Sequence, residues 1–565
     1  MSELNYQDFM KKVNDFLAEM PAEDLRVLLA KWASKVQPAE RYEFLGRLTI
    51  SQENELDGQS EKELLGEIAA FAERVTDGDY CEGWGWDEEI QEERDWGDES
   101  WAEEMDQFFL KARRFLFQGN SQMAETVYKQ LFEILAMGEE SGHLPGDPDY
   151  SNLLTVELKE QVALLIRAVY LNARTKRRAE LVYAAIQEYG YLTRGILLVD
   201  IVNVGDTVLP QWDNFLPEWI EFLRKQPGLQ VSALLREAVL LQGGIMAIAE
   251  FARRNPRVYP AAYLDWIGEL EKNGEEEAVI SVAREALVAM PRDYAIRSDI
   301  AMKLVRLGEK RNDAALKLEG YRHCFSAKPG MGGLLDLYCT AIAQGCWEEV
   351  SNETAQRVAE LQGKREETYA NNWNSELQAA YAPDNVAVHV WLFGGKYEKV
   401  LALCKNKDSL GWSGGGNPKP AFIAFILSAL AGEKPYSPLL SRQLTNVIID
   451  FSFQNEKGGM EQYRQIISVV NNFLPIAKNE LDYYVKWCVD EVGKRVDVIV
   501  SNQYRGSYGK AANLLAAMAE GLARRGEKNE AIALLEKYRS KYPRHRAFQS
   551  ELTESRKILS TIKFI

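Results

Sequence analysis

Five glycines recur along the chain in the same setting, between two helical patterns and four or five residues before an Ala or Val. Glycine tolerates the left-handed turn that ends a helix, and a small residue lets the next helix pack close to the first. The pattern therefore predicts helix-turn-helix hairpins used repeatedly, an arrangement that typically builds binding surfaces. The pairs are Gly119 and Ala124, Gly274 and Ala278, Gly345 and Val350, Gly395 and Val400, and Gly526 and Ala531.

The last of these hairpins resembles a tetratricopeptide repeat. The predicted first helix places Leu515, Met518, Ala519 and Leu522 on one face, the turn is at Gly526, and the second helix carries Ala531, Leu535 and Tyr538 ahead of Pro543. Gly308 follows Gly274 by 34 residues, the tetratricopeptide period, although the other intervals are irregular. The resemblance implies an all-α fold, an irregular α-solenoid of tetratricopeptide-like helical hairpins.

A wider resemblance covers roughly the last third of the chain, from Trp391 to Glu551. The segments Gly411-Trp412-Ser413, Arg505-Gly506-Ser507-Tyr508 and Tyr542-Pro543-Arg544-His545-Arg546-Ala547-Phe548 look similar to uncharacterised bacterial helical-repeat proteins. Helical regions found with SWIM zinc fingers are among them. The zinc finger itself is missing, because no CxC pairs with a downstream CxH.

The chain divides by composition into five segments. Residues 1–76 are predicted to be an N-terminal helical subdomain, 77–106 an acidic Trp-containing linker, and 107–404 a helical-repeat domain. A Gly/Pro-rich loop at 405–420 separates that domain from a C-terminal helical-repeat domain at 421–565. Two stretches rich in β-branched residues, 196–208 and 496–500, are predicted to be helical because they lack paired hairpin signals.

Charge excludes some partners. The formal net charge is −17, which disfavours nucleic acid and anionic lipid, since both require a basic surface. The N-terminus lacks the basic region followed by an apolar run that marks a signal peptide, and the apolar stretch from Ala421 to Ala431 is too short to span a bilayer. Both observations argue against secretion and membrane insertion. Six scattered cysteines without a CxxC pair are typical of reduced thiols, so we expect a cytoplasmic protein.

The acidic linker carries fourteen acidic residues against one basic residue, or −13 of the total charge. Charge density and glycines favour a solvated linker, but Trp84, Trp86, Trp96 and Trp101 are residues favoured as anchors at interfaces. A solvated linker, a partner-docking segment and an internal strap on the basic C-terminal hairpins all stay open. In that C-terminal region, from Leu522 to Ile565 (net +6), Arg544 and Arg546 are candidate contacts for an acidic partner, or simply a solvated face.

The sequence contains no strong catalytic motif. No GxxxxGK[ST] phosphate loop is present, and His323-Cys324 is the one adjacent pair of a nucleophile and a base. A structural role explains that pair better than catalysis. We therefore expect no enzyme, no cofactor and no metal.

The sequence favours a non-enzymatic adaptor or scaffold that binds protein partners, with homo-oligomerisation left open. The alternative is a switchable or proteolytically processed regulator whose two halves are separated at the 405–420 loop. Its cleavage or hinge residues would be Leu410, Gly411, Gly414, Gly415 and Gly416. An unrecognised hydrolase built on His323 and Cys324 is the third possibility.

Overall fold

A computed structural model describes most of the chain beyond the N-terminal segment. The described residues are 31–32, 61–81, 84–87, 92–95, 97–146, 150–193, 195–205, 207–226, 229–362, 380–407, 410, 416–432, 435–449 and 459–561. Of the predicted N-terminal subdomain they include chiefly one helix, and the rest of it lies outside them. Within the described residues the protein is helical apart from one two-stranded hairpin, so the predicted all-α class is confirmed.

The chain forms two compact units, residues 1–247 and 248–565, called units 1 and 2 below. The boundary lies in helix α8, where Gly244 leaves the helical conformation. Unit 1 contains α1 Glu61–Asp77, β1 Trp84–Asp87, β2 Glu92–Asp95, α2 Ser100–Phe117, α3 Ser121–Ser141, α4 Leu158–Asn172, α5 Thr175–Tyr189, α6 Leu198–Asn203, α7 Trp212–Leu223 and the start of α8 Leu229–Arg254.

Unit 2 continues from α8 with fifteen further described helices. They are α9 Ala262–Lys272, α10 Glu276–Ala289, α11 Arg297–Arg311, α12 Ala314–Ala327, α13 Met331–Ala343, α14 Trp347–Leu361, α15 Asp384–Phe393, α16 Tyr397–Lys405, α17 Lys419–Ala431, α18 Pro438–Ile449, α19 Gly459–Phe473, α20 Lys478–Ser501, α21 Tyr508–Arg524, α22 Lys528–Lys541 and α23 Arg546–Thr561. The β-branched stretch 496–500 is helical as predicted, and so is the part of 196–208 that forms α6.

All five predicted turn glycines end a helix with a positive φ. Their φ angles run from 69° to 97°, and in each case the second helix begins two residues later. The residue after the glycine donates its backbone N–H to the carbonyl five positions earlier, as in the bond from Glu275 to Leu270 at 2.9 Å. This is the Schellman arrangement, which satisfies carbonyl groups at the helix end and requires a left-handed residue.

The small residue that packs against the first helix lies five positions after the glycine in every hairpin. Ala124, Val350, Val400 and Ala531 are fully buried. In the hairpin at Gly274 the predicted contact residue, Ala278, is only half-buried, and Val279 is buried in its place. The prediction of Ala278 was wrong by one position because the turn geometry fixes the register of the second helix.

A sixth hairpin, α11–α12, has Asn312 rather than glycine in the left-handed turn. Gly308, which the sequence interval suggested as a turn, lies inside α11 and accepts the hydrogen bond that closes the turn. A Cβ at Gly308 would lie 2.7 Å from the backbone nitrogen of Lys317, so the small residue here is on the first helix. Gly320 of α12 makes a second close approach, to the backbone of Val305 and Ala301.

The segment predicted to be a linker contains regular structure. Strands β1 and β2 pair antiparallel, with Trp84 opposite Asp95, and α2 has already begun at Ser100. Trp101 is fully buried, and its indole nitrogen donates to the carbonyl of Pro145 at 2.9 Å. Helix α2, which begins inside the predicted linker, therefore contributes to the core of unit 1.

One helical stretch, Val231–Arg254 of α8, is long and apolar enough to cross a membrane by length and composition. In its most apolar 18-residue segment, 39% is buried inside the protein. It is longer than the Ala421–Ala431 stretch singled out from the sequence. A core helix of a soluble protein meets the same criteria, so the observation is weak evidence for a membrane span.

Candidate functional site

Unit 2 contains a groove of about 850 Å³ across three successive hairpins, α9–α10, α11–α12 and α13–α14. The second helix of each hairpin contributes to it, and so does the connection between α10 and α11. We call this cavity the groove. Its charged and histidine lining residues are Arg292, Arg297, Glu319, Arg322, His323, Glu353 and Arg357.

Arg297 lies where α11 begins and is only 6% exposed. One guanidinium nitrogen donates to the carbonyls of Leu287, at 2.5 Å, and Met290, at 2.8 Å, at the end of α10. No carboxylate in the described residues forms an ion pair with Arg297. Burial lowers the pKa of its guanidinium, and the positive charges of Arg292 and Arg357 lower it further, against the opposing effect of the Asp293 carboxylate. The wall around Arg297 is thus electropositive.

The other three arginines of the groove have carboxylate partners. Arg357 donates to Asp293 at 2.8 Å and to the carbonyl of Ser326 at 2.8 Å. Arg292 donates to Glu360 at 3.2 Å and to the hydroxyl of Ser326. These contacts hold both guanidinium groups in place.

Arg322 pairs with Glu349 and Glu353, at 3.2 and 3.1 Å. Its Nε is buried and lacks a hydrogen-bond acceptor in the described part of the chain. Glu319, on the same helix, is held by Arg284 at 2.7 Å. The two glutamates of the lining are therefore each neutralised by an arginine, and Arg297 supplies the charge that is not neutralised by a direct ion pair.

His323 faces the groove, whereas its neighbour Cys324 does not line it. Burial lowers the pKa of His323, and Arg297 and Arg292 lower it further against the opposing effect of Glu319. Burial raises the pKa of the Cys324 thiol to about 12, and the thiol donates to the carbonyl of Ser298 at 3.4 Å. A nucleophilic cysteine needs a lowered pKa, so this pair has the opposite electrostatics.

The structure places the residues predicted for partner binding in different settings. Trp84 and Trp86 lie on β1, and Trp96 lies outside the described residues. Trp101 is a core residue packed edge-on against Tyr150, so its prediction as a docking residue was wrong. Arg544 and Arg546 are exposed just before and at the start of α23, and neither forms a side-chain ion pair within the described residues.

The residues predicted for the cleavage or hinge loop are only partly described. Leu410 is buried, Gly416 is exposed, and Gly411, Gly414 and Gly415 lie outside the described residues. Gly416 lines a smaller cavity of about 230 Å³, together with Val388, His389 and Leu403. Leu410 therefore anchors part of the predicted loop.

The groove arginines were missed at the sequence level, although the chain carries a signal for them. Some side chains that bond across neighbouring hairpins lie 34 or 35 residues apart, as do Arg292 and Ser326, and Arg284 and Glu319. That spacing is the interval already visible between Gly274 and Gly308. Searching for charged residues at that period would have brought these pairs together.

The chain matches no protein-family model, and no curated protein is significantly similar to it. Within the described residues no group of three or more His, Cys, Asp or Glu side chains is arranged to hold a metal ion.

Proposed function

We propose that this protein is an adaptor or scaffold that binds another protein, and that the groove of unit 2 is where it does so. One observation carries the proposal: the second helices of three successive hairpins line a single cavity of about 850 Å³. Repeated hairpins that line one continuous surface are the usual way in which helical-repeat proteins bind extended partners. An irregular tetratricopeptide-like solenoid is part of this proposal.

The chemistry of the groove favours binding over catalysis. Its carboxylates are held in ion pairs, and its histidine is half-buried next to arginines. These contacts fix charged side chains in position, which suits recognition of a complementary surface.

Site-specific photo-crosslinking in the cells that make the protein tests this proposal. Val288 lines the groove and is 88% exposed, so a photoreactive amino acid there should form an adduct with one partner protein. Glu277, on the same helix with a side chain 85% exposed, lies outside the groove and is the matched control.

An adduct formed from position 288 and not from position 277 supports the proposal. Equal patterns at both positions, or no adduct at either, would contradict it. The adduct must also form again when the identified protein and the full chain are mixed after purification.

A further inference from the structure

We infer, on the basis of the proposed function, that the groove recognises a partner segment through an Asp or Glu side chain whose carboxylate pairs with Arg297. Of the four groove arginines, Arg297 is the one that forms no ion pair in the described residues. It donates to two backbone carbonyls through one nitrogen, and a guanidinium has five N–H donors in total.

The surroundings of Arg297 make an unneutralised charge costly in the empty groove. The residue is 6% exposed, and the positive charges of Arg292 and Arg357 act on it more strongly than the negative charge of Asp293. A buried charge without a partner is unfavourable, and a carboxylate that docks beside it offsets that cost. The groove therefore has a built-in preference for an anion next to Arg297.

The anion is a carboxylate rather than a phosphate. Arg292, Arg322 and Arg357 are already bonded to carboxylates, and Glu319 and Glu353 also face the groove. A phosphate group carries about −1.5 to −2 charges at neutral pH, which exceeds the single positive charge of the one groove guanidinium that forms no ion pair in the described residues. One carboxylate matches one available guanidinium.

The carboxylate belongs to a side chain within a segment. The groove extends over three hairpins, so a chain that passes through it contacts α10, α12 and α14 at once. The apolar side chain of Val288, which is 88% exposed, provides a contact for neighbouring side chains of the segment.

The test starts with selection of a displayed library of random 12-residue peptides on the purified full-length chain. Asp and Glu should be enriched in the selected peptides. The best peptide is then synthesised with an acetylated N-terminus and an amidated C-terminus, as a Glu-to-Gln (or Asp-to-Asn) version, as a phosphoserine version, and with a free C-terminus. Loss of the carboxylate should weaken binding roughly 10- to 150-fold, the range expected for a hydrogen bond to a charged group.

Protein variants identify the partner of that carboxylate. The Arg297→Gln variant should bind the acidic peptide more weakly than the wild type does, by the same factor. It should bind the acidic and amide peptides with almost equal affinity. Because Arg297 also bonds two carbonyls at the end of α10, Arg292→Gln provides a second variant whose side chain is more than half exposed. The Arg292→Gln variant should bind the acidic peptide severalfold more weakly than the wild type does. Arg311→Gln is the control. It removes the ion pairs of Arg311 with Glu276 and with Glu277, which lie outside the groove, and should leave peptide affinity unchanged.

The outcomes separate this inference from the proposed function. Selected peptides that lack acidic residues, or equal affinity for the acid and amide versions, would overturn the inference while the groove remains a protein-binding site. Tighter binding of the phosphoserine version, or a requirement for the free C-terminus, would also overturn it. If no selected peptide binds at the groove, that result would count against both the inference and the proposed function.

Discussion

Glu237 of unit 1 illustrates how one residue links the stability of the fold to pH. Its carboxylate accepts backbone N–H groups of Leu198, at 2.8 Å, and Val199, at 2.7 Å, where α6 begins. Burial nevertheless raises the pKa of Glu237 to about 7, above the ordinary value of 4.5, with Asp200 adding to the rise and Lys159 opposing it. The side chain is thus poised to titrate near neutral pH.

A carboxyl group with a raised pKa stabilises the fold at low pH, because the unfolded chain releases its proton first. This contribution is complete below pH 4.5 and is lost as pH rises through about 7, a change on the order of 3 kcal/mol. We expect the wild-type protein to lose stability relative to Glu237→Gln between pH 5 and pH 8. Urea midpoints of both proteins in the same buffers measure this difference, with the exposed Glu140→Gln as control. Parallel pH curves for Glu237→Gln and the wild type would contradict the expectation.

The α11–α12 hairpin makes a prediction at the scale of an element. Gly320 lies inside α12, where replacement by alanine would ordinarily stabilise the helix by about 1 kcal/mol. Here a Cβ would lie 2.9 Å from the nitrogen of Val305 and 3.0 Å from the carbonyl oxygen of Ala301. Because both neighbours are backbone atoms, the two helices must separate, and overpacking of this kind costs about 1–3 kcal/mol.

We therefore expect Gly320→Ala to destabilise unit 2 and Gly268→Ala to stabilise it. Gly268 lies within α9, and a Cβ there would meet nothing within 4 Å. Chemical denaturation of the two variants and the wild type measures both signs in one experiment. A stabilising Gly320→Ala would mean that α11 and α12 are not held as closely as the structure describes.

The same element shows what the sequence could and could not predict. The five turn glycines were predictable because few residues other than glycine tolerate the left-handed conformation of that turn. The turn at Asn312 was missed because asparagine adopts this conformation less often, and the glycine at position 308 matched the repeat period better. Local sequence specified the turn, whereas the close approach of α11 and α12 depends on both helices together.

The candidate site was less predictable than the fold. Trp101 was interpreted as an anchor for a partner because tryptophan in a charged, glycine-containing segment is favoured at interfaces, yet the hydrogen bond to Pro145 and the contact with Tyr150 place it in the core. Arg297 has an unremarkable local sequence. Its significance comes from the end of α10 and from Arg357, 60 residues later, both of which only the folded structure brings near it.

At the scale of the molecule, the chain on both sides of the 405–420 loop belongs to unit 2. Tyr397 donates to the carbonyl of Leu474 at 3.1 Å, and its ring packs against Phe425 with centroids 5.4 Å apart. Lys405 donates to the hydroxyl of Tyr483 at 2.6 Å. The parts before and after the loop therefore share one core.

A cut in this loop should consequently leave the two fragments associated. We expect a chain with a viral-protease site inserted between Gly414 and Gly415 to elute as one species from a sizing column after complete cleavage, and to separate only in denaturant. The uncleaved insertion variant is the control. Separation of the fragments in native buffer would instead revive the hypothesis of a processed regulator.

The repeated turn has a consequence for how such a chain can evolve. One residue inserted between a turn glycine and the buried position five residues later would rotate the second helix by about 100° relative to its partner, exposing the residue that should be buried. A residue gained between hairpins, for example at 328–330, changes no such register. Descendants of this sequence should therefore vary in length between hairpins, and whole hairpins should be the pieces that are duplicated or lost.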